Sequence, residues 1–176
     1  MTLAAMPERL VCFAHGKESG PWGTKITHLA AVARARGFEV ISPDYSGTQD
    51  PQQRVALLLD LAPAARHLVL VGSSMGGYVS AMACASLQPA ALFLMAPALY
   101  FPSWDAEPQA IPAHCCVVHG RADDIVPVER AQRFAERNQS ELHLLHSDHG
   151  LNDQLPLLGF LLDRMLTRVI SQTAAR

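Results

Sequence analysis

Residues 67–76 read H-L-V-L-V-G-S-S-M-G, and no other stretch of the 176-residue chain restricts the fold as strongly. The first five are almost wholly apolar. They lack the alternation of a strand with one wet face and fit a strand buried on both faces of a parallel sheet. The next five, Gly72-Ser73-Ser74-Met75-Gly76, hold a G-x-S-x-G, and residues 75–87 then read as a Gly- and Ala-rich helix closed by Pro89. A strand that becomes a helix in so few residues must pass through a tight turn. Glycines on either side remove the Cβ atoms that would collide there. The serine between them sits on strained backbone with its hydroxyl lifted above the sheet edge. The helix also directs its positive N-terminal end at that spot, which favours an anion.

The rest of the chain repeats the alternation. Strands are expected at 10–14, 38–42, 91–95, 115–119 and 141–145, and helices at 24–36, 51–61, 127–137 and over the C-terminal segment. In the first helix Ile26, Leu29, Ala30 and Ala33 form one buried stripe, and Gly37 stops it. Val55, Leu58 and Leu59 mark the inward side of the second, and Pro127 takes the first position of the helix 127–137. Leu158, Leu161, Leu162, Met165 and Val169 form an apolar stripe on the last. The pattern predicts a three-layer α/β sandwich, a mostly parallel sheet of about six strands with helices on both faces. No repeat, linker or low-complexity segment divides the chain, so residues 1–176 read as one domain.

Composition narrows the function classes. With 14 Lys+Arg against 16 Asp+Glu, the net charge is −2. Nucleic acid and anionic membrane are therefore not expected as partners, because both need clustered positive charge. No run of about 18 apolar residues suggests a transmembrane helix. Residues Met1 to Arg9 lack the basic start and long apolar stretch of a signal peptide, and a cytoplasmic protein is expected. Cys12, Cys84, Cys115 and Cys116 show neither C-x-x-C nor metal-ligand spacing, and read as buried thiols behaving as small hydrophobes. Vicinal Cys115 and Cys116 point to opposite faces of their strand.

A serine hydroxyl is a poor nucleophile alone and needs a nearby base, itself oriented by a carboxylate. Both should come from loops at the carboxyl ends of later strands. After strand 115–119 the loop reads His119-Gly120-Arg121-Ala122-Asp123-Asp124-Ile125-Val126-Pro127, and after strand 141–145 it reads His146-Ser147-Asp148-His149-Gly150. Asp123 and Asp124 are the candidate acids, and His146 and His149 the candidate bases. His149 is favoured, since His146 abuts the strand while His149 stands further out beside Gly150. Asp148 reads as a loop charge. His15 and His119, each before a glycine at a strand end, read as hydrogen-bonded structural residues. His28, His67, His114 and His143 show no ligand spacing, and no metal is expected. A nucleotide site would need a phosphate loop after the first strand. His15-Gly16-Lys17-Glu18-Ser19-Gly20 fits neither known pattern.

Taken together, the H-G at His15-Gly16, the G-x-S-x-G at Ser74, the H-G-x-x-D-x-x-V-P run at Asp123 and the late His149 resemble the α/β-hydrolase superfamily, and its small members without a lid domain. The likeness covers nearly the whole chain. It implies Ser74 as nucleophile, Asp123 as orienting acid and His149 as base, with no cofactor. It also implies an oxyanion hole from the backbone N–H groups of Met75 and Lys17. Asp124 stays as the rival acid. That superfamily usually opens with two antiparallel strands, but only nine residues precede Leu10 here. A sheet trimmed to about six parallel strands follows.

The expected activity is a serine hydrolase acting on a small carboxylic ester, less readily an amide or thioester. The alternative is a non-catalytic binding or scaffold protein of the same fold. About 19 residues (96 to 114) stand where larger members insert a lid, too few to cover a long acyl chain. Tyr100, Phe101 and Trp104 on that stretch are expected to wall a shallow pocket suited to short acyl groups.

Overall fold

The computed structural model describes residues 6–171. Six strands form one parallel sheet in the order β2-β1-β3-β4-β5-β6. They are β1 (Arg9–Ala14), β2 (Glu39–Ile41), β3 (His67–Ser73), β4 (Ala91–Met95), β5 (Cys115–Gly120) and β6 (Glu141–Leu145). The helices are α1 (Thr24–Ala35), α2 (Pro51–Leu61), α3 (Met75–Leu87), α4 (Val128–Asn138) and α5 (Leu155–Ser171). Strand order reverses between β1 and β3, and in open parallel sheets a ligand crevice forms beside such a switch point, at the carboxyl ends of the strands.

Alternation along the central strands sorts the core into two layers. Val69 and Val71 of β3 and Phe93 and Met95 of β4 pack with α1 and α5. Their neighbours Leu68, Leu70, Leu92 and Leu94 pack with α2, α3 and α4. Cys115 falls in the second layer and Cys116 in the first, so the vicinal thiols do point apart. All four cysteines are free and buried. The stripes expected on α1 and α5 are the buried faces of those helices.

Four local differences have physical causes. β3 runs on through Ser73 because Ser73 still pairs with Met95 of β4, so the strand leads directly into the turn. β2 shrinks to three residues because only Glu39, Val40 and Ile41 find partners, in Leu10, Val11 and Cys12 of β1. Pro127, with φ −54° and ψ 133°, is the N-cap of α4 and not its first helical residue. On α2 the buried residues are Pro51, Arg54 and Leu58, while Val55 and Leu59 are half-buried. The reading of the N-terminus as no signal peptide rests partly on Met1 to Ala5, which lie outside the described residues. No helix among the described residues is long and apolar enough to cross a membrane.

Candidate active site

Ser74 occupies the single residue between β3 and α3, with φ 54° and ψ −118°. A residue with a Cβ rarely adopts such a φ, so the surroundings must hold it. The Ser74 N–H donates to the Met95 carbonyl at 2.9 Å. Its own carbonyl accepts from the N–H groups of Gly77 (2.9 Å), Ala98 (2.9 Å) and Tyr78 (3.3 Å). The turn is also tight enough to require glycine at Gly76. A Cβ there would stand 1.9 Å from the Ala14 carbonyl oxygen and 2.7 Å from that of His15. Gly76 thus lets α3 lie against the end of β1, which brings the loop after His15 up to Ser74.

Two later loops meet Ser74. The His149 Nε2 lies 2.9 Å from Ser74 Oγ, and the Nδ1 of the same ring lies 2.7 Å from Asp123 Oδ2. The Asp123 side chain is fully buried. Its Oδ1 accepts from the N–H groups of Ile125 (2.9 Å) and Val126 (2.8 Å), which fixes the carboxylate plane. A carboxylate in this position requires the proton on Nδ1 and leaves Nε2 as the acceptor toward the serine. Asp124 and His146 are exposed. Buried His119, expected to be structural, reaches the same carboxylate. Its Nε2 lies 2.9 Å from the Val126 carbonyl and 3.2 Å from Asp123 Oδ2. Burial pushes the His119 pKa down, so the ring is a neutral donor here.

Met75 opens α3, and a first-turn N–H has no acceptor within its own helix. The peptide before Lys17 is held by His15, a hydrogen-bonded structural residue as expected, and by Arg54, which sequence reasoning missed. The Tyr45 N–H donates to His15 Nε2 at 2.9 Å, so His15 carries its proton on Nδ1 and donates it to the Gly16 carbonyl at 2.8 Å. Arg54, completely buried, sends Nη1 to the carbonyls of His15 (3.3 Å) and Gly16 (3.2 Å) and Nε to that of Thr48 (2.9 Å). With the Gly16 carbonyl facing Arg54, the trans peptide turns the Lys17 N–H away from the guanidinium. One signal for Arg54 was present, since it stands four residues before Leu58 on the same helical stripe.

A cavity of about 450 Å³ opens over Ser74 and His149. Phe101, Trp104, Ile125 and Val126 give it an apolar wall, and Lys17, Ser19 and Lys25 a polar one. Tyr100, expected to share the aromatic wall, does not line this cavity. Its hydroxyl donates to Glu107 at 2.6 Å and the Arg133 guanidinium stacks 3.9 Å from its ring centre. It is fixed to the loop beneath. Trp104 is held in place by Nε1 donating to the Ala98 carbonyl at 3.1 Å.

The profile of the alpha/beta hydrolase family matches residues 13–114. The chain belongs to the α/β-hydrolase family. Among solved structures, it is similar to a protein described as a hydrolase of the alpha/beta superfamily from Xanthomonas campestris pv. campestris, at 29% identity, 92% of this chain, 99% of that one and a TM-score of 0.84. It is also similar to an α/β serine hydrolase without lid from Xanthomonas campestris, at 25% identity, 96% and 85% coverage and a TM-score of 0.70. An esterase from Pyrococcus furiosus shares the fold at 18% identity, 91% and 84% coverage and a TM-score of 0.71. A search of curated proteins finds no match. These likenesses support hydrolase activity for this α/β hydrolase.

Away from this site, ligand atoms of Cys116, Glu141 and His143 lie within 4.8 Å of one another near the amino ends of β5 and β6. The set suits a metal ion poorly. Glu141 already holds Arg164, Arg168 and His143, and burial pushes the Cys116 thiol up to about 12.

Proposed function

We propose that this α/β hydrolase is a serine hydrolase that cleaves small carboxylic esters through an acyl-enzyme. The observation that carries the reading is the continuous hydrogen-bonded chain from Ser74 Oγ through His149, both lining the cavity, to buried Asp123. Ser74 attacks the ester carbonyl while His149 Nε2 takes its proton. Asp123 holds the ring by Nδ1–H and stabilises the imidazolium that forms. The N–H groups of Met75 and Lys17 bind the oxyanion, an effect of about 3 kcal/mol per donor. His149 returns the proton to the leaving alcohol, then activates water to release the acid. This sequence of steps needs no cofactor. The substrate is a small molecule met in the cytoplasm, a setting that the buried free thiols support.

A fluorophosphonate is expected to modify the protein once, at Ser74, read by mass spectrometry of the digest. A folded protein that stays unlabelled would instead be a binding or scaffold member of the family. Acyl size is checked separately. Each CH₂ taken out of water contributes about 0.8 kcal/mol, but Phe101 and Trp104 cover one side of the site only. Over p-nitrophenyl esters of two to twelve carbons, kcat/KM is expected to peak at short chains. A steady rise to the longest would mean that residues 96–114 fold over as a cover.

A further inference from the structure

Two lysines stand on the polar wall and neither has an ion pair among the described residues, but Lys17 is exposed to water whereas Lys25 is half-buried. Lys25 stands in the first turn of α1 and lines the cavity that holds Ser74 and His149. It also lines a second cavity of about 330 Å³, which shares Ser19 and Ser73 with the first. An ammonium carries three donors. Lys25 Nζ spends one on the Gly150 carbonyl at 2.6 Å and has no ion pair among the described residues. Asp148, whose charge it feels, turns Oδ1 to the N–H groups of Gly150 (2.8 Å) and Leu151 (3.2 Å). Glu18 lines the cavity too, but is exposed to water. A loop carbonyl needs only a neutral donor, so the Gly150 contact alone does not account for a cation. Withdrawing that cation from water disfavours its charged form, and burial does push the Lys25 pKa down. An incoming anion would offset this cost.

We propose that the substrates of this site carry a carboxylate besides the scissile ester, and that the Lys25 ammonium pairs with it. The inference rests on the serine-hydrolase reading, and it divides the substrate between the two walls. Phe101, Trp104 and Ile125 take the carbon skeleton, while Lys25 takes the charged end. A carboxylate there also gains from the partial exclusion of water, which strengthens the pairing relative to an exposed one.

The test compares monomethyl esters of succinic, glutaric and adipic acid with neutral methyl esters of the same acyl length. At one or more lengths the enzyme is expected to favour the half-ester by about tenfold or more in kcat/KM, the scale of one charge-assisted hydrogen bond. Lys25→Met should erase that ratio and Lys25→Arg should keep part of it. Equal handling of both series by the unaltered protein overturns the proposal. So does an unchanged ratio in Lys25→Met, which would leave the lysine as an anchor for the loop after His149. Failure of the underlying reading looks different, as no fluorophosphonate label and no cleavage of either series. Calorimetric binding of the half-esters then decides. Binding lost in Lys25→Met keeps the carboxylate site, and no binding by the unaltered protein removes it.

Discussion

Ser74→Ala is expected to lower kcat for p-nitrophenyl acetate by at least ~10³-fold while the melting temperature moves by no more than a few degrees. Losing a nucleophile of this kind typically costs far more than losing a binding contact. The fold should survive because the structural work at this position is done by the main chain. The N–H bonds Met95, and the carbonyl holds three N–H donors, none of which needs the hydroxyl. Alanine also meets the same conformational demand at φ 54° as serine does. Activity above a few per cent in a folded Ser74→Ala protein would exclude Ser74 as nucleophile.

Asp123→Asn is expected to cost on the order of 10⁴ in kcat, and Asp124→Asn no more than a few-fold. In the favourable orientation the new amide keeps an oxygen toward the N–H groups of Ile125 and Val126, as Oδ1 does now. Its NH₂ then takes the place of Oδ2, facing His149 Nδ1. Two N–H groups cannot bond each other, so the ring shifts its proton to Nε2 and loses the acceptor that the Ser74 hydroxyl needs. The NH₂ would also oppose the buried donor of His119. Asp124 is exposed and touches none of this. Kinetics of both variants on one ester give the answer, and the opposite ranking would move the acid to Asp124.

Much of this was legible in the sequence because local pattern and global fold agree. Residues 67–71 could hardly be anything but a central strand, and the glycines of the following turn announce a close approach that Gly76 makes with Ala14 and His15. The convergence of Ser74, Asp123 and His149 follows from parallel topology, which gathers loops distant in sequence at one sheet edge. What stayed hidden depends on tertiary packing. Arginine inside a helix ordinarily reaches water, and a place four residues before Leu58 does not by itself say that Arg54 turns inward to three carbonyls. The aromatic trio reads as one cluster. A left-handed turn at Tyr100, φ 57°, accompanies its separation from Phe101 and Trp104. Pro127 fits either side of a helix start, and only the backbone angle decides.

Arg54 also makes the site and the fold unequal in durability. The residue belongs to α2, a helix that packs mainly on α3 and exposes Leu57 and Leu61 to solvent. Outer elements of this kind open in sub-global fluctuations that leave a central sheet closed. Each such opening would withdraw the guanidinium from the His15 and Gly16 carbonyls and free the peptide that orients the Lys17 N–H. The strands, the elbow and the Asp123–His149 pair would persist through it. If the Lys17 N–H serves the oxyanion as proposed, activity on warming is expected to fall before the core unfolds, read as a loss of ester hydrolysis below the melting temperature.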